Sequence, residues 1–145
     1  MSFSDDLKKF RRNTVRRTDL LVRKVIIDMG SRIVYRTPVG NPSLWQSNPP
    51  EGYVGGRARA NWQYGNGSMP EGSLDLIDSN GSPTLAAITA GVRSFEAASI
   101  HWVVNNLPYI ERLENGWSTQ APQGMVGLTV VEFKDVVEIM ARELN

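Results

Sequence analysis

Cysteine is absent from the 145-residue chain, which removes disulfides, thiolate metal sites, iron–sulfur clusters and cysteine nucleophiles together. Histidine is nearly absent: His101 stands alone, so there is no multi-histidine metal site and no histidine-pair relay. Long apolar runs are missing as well, and no segment suits a membrane-spanning helix. The opening Met1-Ser2-Phe3-Ser4-Asp5-Asp6 lacks the basic-then-apolar pattern of a secretory signal. No Gly-rich loop followed by Lys-Ser/Thr occurs, and Gly65-Asn66-Gly67 meets Pro70 where a dinucleotide fingerprint needs its third glycine. What remains, 41% apolar and 21% charged residues, reads as one soluble globular domain spanning 1–145 with a modest core.

The net charge of +1 conceals a division. Residues 1–59 carry 12 Lys/Arg against 5 Asp/Glu, a balance of +7, and residues 60–145 carry 4 against 10, a balance of −6. Such asymmetry points to a polyanionic partner, or to self-association in which one copy's basic part meets a neighbour's acidic part. An ordinary solvated helix face accounts for it equally well.

The pattern predicts a long helix over 5–36. Ser4 is placed to cap it, with Asp5 and Asp6 at the positive end of the helix dipole. Leu7, Phe10, Val15, Leu21, Val22, Val25, Met29 and Ile33 recur at helical spacing, while Lys9, Arg12, Arg16 and Arg23 gather on the opposite face. Pro38 ends the helix. At 1.5 Å per residue the span is roughly 48 Å, longer than a domain of this size needs, so part of it projects or packs on another subunit. The N-terminal half, where Thr14 and Thr18 dilute the stripe, is the expected projecting part.

Residues 37–57 hold Pro38, Pro42, Pro49 and Pro50 with Gly40, Gly52, Gly55 and Gly56, a composition that excludes helix and central strand. Trp45 and Tyr53 make this a packed or partner-binding loop rather than a free linker. Arg57–Tyr64 reads as a strand, with a short second strand around 74–77. Ser82-Pro83 starts a helix whose Leu85, Ile88, Val92 and Phe95 share one face, with Ser82 as its cap. Residues 100–104 read as a buried strand. Residues 109–115 read as a short helix ended by Gly116. From Met125 a C-terminal helix of about five turns presents Val126, Val130, Phe133, Val137, Met140 and Leu144 together, leaving Leu128, Val131 and Ile139 off the stripe for a second core layer or another subunit. The expected fold class is α+β: a long N-terminal helix and a small, mainly antiparallel sheet packed against two further helices.

Nothing in the sequence supports catalysis. His101 sits in an alternating apolar run and reads as a structural strand histidine. Glu111 and Glu114 lie three apart on a helix beside Arg112, a solvated face rather than an acid–base pair. Glu71, Asp75 and Asp78 match no calcium-loop spacing. No catalytic residue, cofactor or metal is expected. The Lys9, Arg12, Arg16, Arg23 face suits salt-sensitive phosphate contacts, but no helix-turn-helix, zinc finger or aromatic RNA-binding motif accompanies it, and a subunit interface serves equally.

Two strings carry a resemblance. One is Arg36-Thr-Pro-Val-Gly-Asn-Pro-Ser-Leu-Trp45, continuing through Gly52-Tyr-Val-Gly-Gly-Arg57 to Asn61-Trp62. The other is Asn106-Leu-Pro-Tyr-Ile-Glu-Arg-Leu-Glu-Asn-Gly-Trp-Ser118, continuing Gln120-Ala-Pro-Gln-Gly-Met125-Val126. Together they resemble the tail-completion, or neck, proteins of tailed bacteriophages. The chain departs from that pattern at Asn41–Gly56, which intervenes where many members pass directly from Thr-Pro-Val into an Asp-Thr-Gly-Arg-like turn.

The resemblance implies a non-enzymatic virion protein of the head–tail junction, present in the host cytoplasm during assembly. Its implied partners are copies of itself in a ring, head-side connector or adaptor proteins, and the tail terminator or tail-tube protein. Non-specific contact with DNA in the channel is a further expectation; contact with a membrane is not. A tail-terminator ring that caps tube polymerisation is an alternative in the same setting, and a DNA-binding accessory protein is an alternative of another class. The residues expected to meet a subunit or partner are Lys9, Arg12, Arg16, Arg23, Trp45, Tyr53, Tyr109, Glu114, Trp117, Leu128, Val131 and Ile139. Glu114 is also placed to accept backbone N–H groups of the following loop, or to pair with Arg57 or Arg59.

Overall fold

The computed structural model describes residues 2–144, the side chain of Leu44 excepted. Helix α1 runs Phe3–Arg36, 34 residues and about 51 Å. Its cap is Ser2, not Ser4: the Ser2 hydroxyl accepts from the Asp5 N–H at 3.2 Å, and the Asp5 carboxylate accepts from the Ser2 N–H at 3.2 Å. This reciprocal pairing needs an acceptor three residues on, and from Ser4 that position is Leu7. Thr37 turns extended before Pro38 and ends the helix.

Only the second half of α1 is packed. Val25, Gly30, Ile33 and Val34 are buried, whereas every residue from 3 to 18 is exposed, so Leu7, Phe10 and Val15 of the expected stripe meet no core. About 24 Å of helix therefore projects from the body.

Around the packed half, α1 lies between two layers. On one side α3 (Ser82–Ser94) crosses it with Ile88 packed beside Gly30. On the other lie α5 (Val126–Val131) and α6 (Phe133–Glu143), tied by Arg32 and Arg36 to Glu132 and by Lys24 to Glu143. Strands β1 (Trp62–Asn66) and β2 (His101–Asn105) pair antiparallel, Trp62 opposite Asn105 and Asn66 opposite His101. The α+β expectation holds: long N-terminal helix, small antiparallel sheet, further helices packed upon it. Ile33, Val34, Trp62, Ile88, Val92, Ala121 and Met125 form the core, with Tyr64 and Val103 packing from the sheet. The Trp62 indole N–H donates to Thr37 Oγ1 at 2.7 Å, and that hydroxyl donates to the Ile33 carbonyl, so the buried polar atoms at the helix exit are satisfied.

Several local expectations fail for identifiable reasons. Arg57–Ala60 is one turn of helix, α2, and only Trp62 onward is strand. Ala58 and Ala60 are both buried, a two-residue spacing that imitates a strand, but Gly56 at φ +112° starts a turn whose carbonyl accepts from the Ala60 N–H. No strand forms at 74–77, because the buried Asn61 amide takes both the N–H and the carbonyl of Leu74 in place of a ladder. Helix α3 starts without a Ser82 cap. Gly81 holds the N-cap in left-handed conformation, and Asp78 accepts instead from the N–H groups of Gly81 and Thr84 and from the Thr84 hydroxyl. Along α3, Ile88 and Val92 are buried while Phe95 ends exposed. The C-terminal helix breaks at Glu132, whose carboxylate is held by Arg32 and Arg36. Val130 and Phe133 are exposed, and the buried stripe runs instead through Met125, Thr129 and Val136, rotated round the helix from the expected one. As expected, α4 (Ile110–Glu114) is short and followed by Gly116 at positive φ.

Candidate functional site

The basic face divides. Lys9, Arg12 and Arg16 stand on the exposed, projecting part of α1. Arg23 belongs to the body, where it donates to the Phe95 carbonyl at 3.0 Å while its Nε is buried without a partner among the described residues. The projecting part also exposes Phe3, Leu7 and Phe10. Phe3, Phe10 and Leu7 fall on one side of a helical wheel and Lys9, Arg12 and Arg16 on the other, so this arm presents two chemically distinct faces.

The remaining candidates gather near the other end of α1. Trp45 and Tyr53 pack with ring centres 4.7 Å apart and ring planes tilted by 54°, and Tyr53 packs over Gly40, where any β-carbon would collide with the phenol oxygen. Gln120 clamps the loop from the far side, accepting from the Val39 N–H at 3.1 Å and donating to its carbonyl at 2.9 Å. The expected packed loop is therefore present. Tyr109 is 36% exposed; the partial burial of its phenol pushes it above the ordinary value, opposed by the nearby Arg57 guanidinium. Trp117 is 73% exposed, and the Arg112 guanidinium lies 5.2 Å from its ring centre.

Glu114 faces inward. Its carboxylate accepts from the N–H groups of Met125 (3.0 Å), Val126 (2.9 Å) and Gly127 (2.8 Å), the orphan donors that open α5. Burial alone would raise this carboxyl, but the three backbone donors outweigh it and hold the group below the ordinary carboxylate value. Gly124 lies so close to the Glu114 carbonyl that a β-carbon there would clash. The backbone role expected for Glu114 is observed; its pairing with Arg57 or Arg59 is not. Arg59 instead donates to the carbonyls of Tyr35, Thr37 and Ser79, closing the end of α1. Leu128 is half-buried beside this end, whereas Val131 and Ile139 are exposed on the outside of α5 and α6.

Side chains that carry chemistry in other proteins have structural work here. His101 Nδ1 lies 2.6 Å from the Tyr64 hydroxyl and Nε2 lies 2.9 Å from the Ala97 carbonyl, pinning β2 as a structural histidine. Asp78 is buried as the α3 cap, apart from the exposed Glu71 and Asp75, and Glu111 is exposed with no second carboxylate free to act with it. Among the described residues no group of three or more His, Cys, Asp or Glu is placed to hold a metal ion, and no helix is long and apolar enough to cross a membrane. An open hollow at the α1 exit is lined by Arg36, Arg59, Gln120 and Leu128, but both guanidiniums are already engaged by Glu132, Thr129 and backbone carbonyls.

Two further features were not expected from the sequence. The Ser2–Asp5 cap has a legible signal, a Ser followed three residues later by an acid. The exposure of Val130 and Phe133 has none, because it depends on which side of α5 and α6 meets the body. No protein-family model, no curated protein and no solved structure matches the chain.

Proposed function

We propose that this chain is a structural protein of the neck of a tailed bacteriophage, completing the tail end and joining it to the DNA-filled head as a ring around the DNA channel. The observation that carries the reading is the meeting of the two resemblance strings. Val39 of the first string and Gln120 of the second, 81 positions apart, are clamped by two hydrogen bonds, and within the first string Thr37 receives the Trp62 indole N–H. Glu114, in the second string, caps the helix that begins at Val126, the last residue of the same string. The family-like residues thus form one structural unit at the inner end of α1. Head-side adaptors and the tail terminator or tube protein are the proposed partners on the two faces of the ring.

The exposed Lys9, Arg12 and Arg16 favour a second use, non-specific contact with DNA in the channel, through phosphates and without base readout. Gold-labelled antibody against the purified chain tests the proposal: label at the head–tail junction of intact virions supports it, and virions that carry no label refute it.

A further inference from the structure

We infer that Asn115-Gly116, at the end of α4, is a self-modification site: the Asn115 carboxamide converts spontaneously to aspartate and isoaspartate, while the fold protects the other Asn-Gly steps. The site is independent of any role in a virion. Asn-Gly occurs at 66–67, 80–81 and 115–116. Glycine is the following residue that least hinders the reaction, because no side chain shields its nitrogen. Local sequence therefore ranks the three steps alike, and the structure separates them.

The reaction joins the glycine nitrogen to the asparagine side chain. Solvent hydroxide takes the Gly116 N–H proton, and the nitrogen attacks the Asn115 Cγ. The new N–Cγ bond closes a cyclic imide, the Cγ–Nδ2 bond breaks, and the amide nitrogen leaves as ammonia with a proton from water. Water then opens the imide. Cleavage at Cγ gives aspartate, cleavage at the main-chain carbonyl gives isoaspartate, and nothing is oxidised or reduced.

Two of the steps are held against this chemistry. Asn66 ends β1, and its Nδ2 donates to Ser99 Oγ at 2.7 Å and to the Tyr64 hydroxyl at 3.2 Å. The Gly67 N–H donates across the sheet to the Ile100 carbonyl at 2.8 Å. Asn80 Oδ1 accepts from the Ser82 N–H at 2.8 Å, and the Gly81 N–H donates at 2.7 Å to the buried Asp78 carboxylate. Deprotonating that nitrogen would set two negative charges in contact. Asn115 differs. It is exposed, and its carboxamide makes no hydrogen bond among the described residues, so it is free to turn towards the next nitrogen. The Gly116 N–H has one bond, 3.2 Å to the Leu113 carbonyl, at the fraying end of a five-residue helix.

Isoaspartate adds a carbon to the main chain just before Gly116. The turn has no slack to absorb it: a β-carbon on Gly116 would already lie 2.5 Å from the Pro122 carbonyl oxygen. Glu114, which caps α5, is the residue before Asn115, so the modification loosens that cap.

The test ages the intact purified chain in mildly alkaline buffer, with a parallel sample in denaturant, and digests both only afterwards. Fragment-ion mass spectrometry then reads conversion at each asparagine. In the native chain Asn115 is expected to convert more than about tenfold faster than Asn66 or Asn80, whereas in denaturant the three should agree within about threefold. Isoaspartate methyltransferase should label position 115 of wild type and leave that position of Asn115→Gln, whose ring closure is far slower, unlabelled. No conversion at Asn115, or conversion no faster than at the other two steps, overturns the inference. Aged wild type should also melt below aged Asn115→Gln, and equal melting temperatures would overturn the loosening of the cap.

Discussion

Replacing Glu114 by alanine should be the most destabilising single-carboxylate change at the α1 exit. The carboxylate accepts three N–H groups from Met125, Val126 and Gly127, and Met125 itself lies in the core. Loss of a helix cap costs about 0.5–2 kcal/mol, and a hydrogen bond to a charged acceptor contributes about 1.5–3 kcal/mol net. One shared, half-buried carboxylate with water able to replace part of it brings the expected loss to about 2 kcal/mol. For a chain of this size that lowers the melting temperature by about 6 °C. Glu114→Gln isolates the charge. The native carboxyl lies below its ordinary value of 4.5, so its stabilisation is complete above that value and is lost as the pH falls through the lower native one. The stability gap between wild type and Glu114→Gln should therefore be flat from neutral pH down to about 4.5 and close on further acidification. Circular dichroism melts of both variants across this range provide the assay. A Glu114→Ala melting temperature within about 1 °C of wild type, or a gap that widens with acid, would refute the capping account.

Four further outcomes are expected. Thr37→Val leaves the buried Trp62 indole N–H without an acceptor and should cost about 2 kcal/mol in chemical denaturation. Glu132→Gln removes the pairs to Arg32 and Arg36 and should lower the melting temperature at low salt, the difference shrinking as salt rises. Deleting residues 2–18, none of which is buried, should change stability by less than about 1 kcal/mol, and limited trypsin digestion should cut the arm before the body. Ultraviolet difference titration of wild type against Tyr109→Phe should show a phenol that ionises above its ordinary value of 10.0.

What could be read from the sequence was whatever depends on near neighbours in the chain. The helix that Pro38 stops, the short helix before Gly116 and the strand around Val103 are local patterns, and so is the length that forces the N-terminal half of α1 to project. Glu114 was legible as a backbone acceptor because Gly116 and the Gln-Gly-Met turn follow it closely. The failures involve side-chain partners that the local pattern does not announce. Asn61 replaces the ladder at Leu74 with its own amide, and Asp78 reaches Thr84 to cap α3 in place of Ser82. At the break in the last helix, Glu132 is held by Arg32 and Arg36, about a hundred positions earlier. In the candidate interface, Arg23 and Glu114 face inward, while Val131, Ile139 and Trp117 remain on the surface. A periodic pattern shows that a residue is apolar on one face; only the assembled body shows whether that face is covered.

The neck assignment is tested most directly by electron microscopy of a lysate from the phage that encodes the chain, with a stop codon at Trp62. DNA-filled heads and complete tails lying apart are the predicted result. Intact virions would contradict the assignment, and tails of uncontrolled length would replace it with a tail-terminator role.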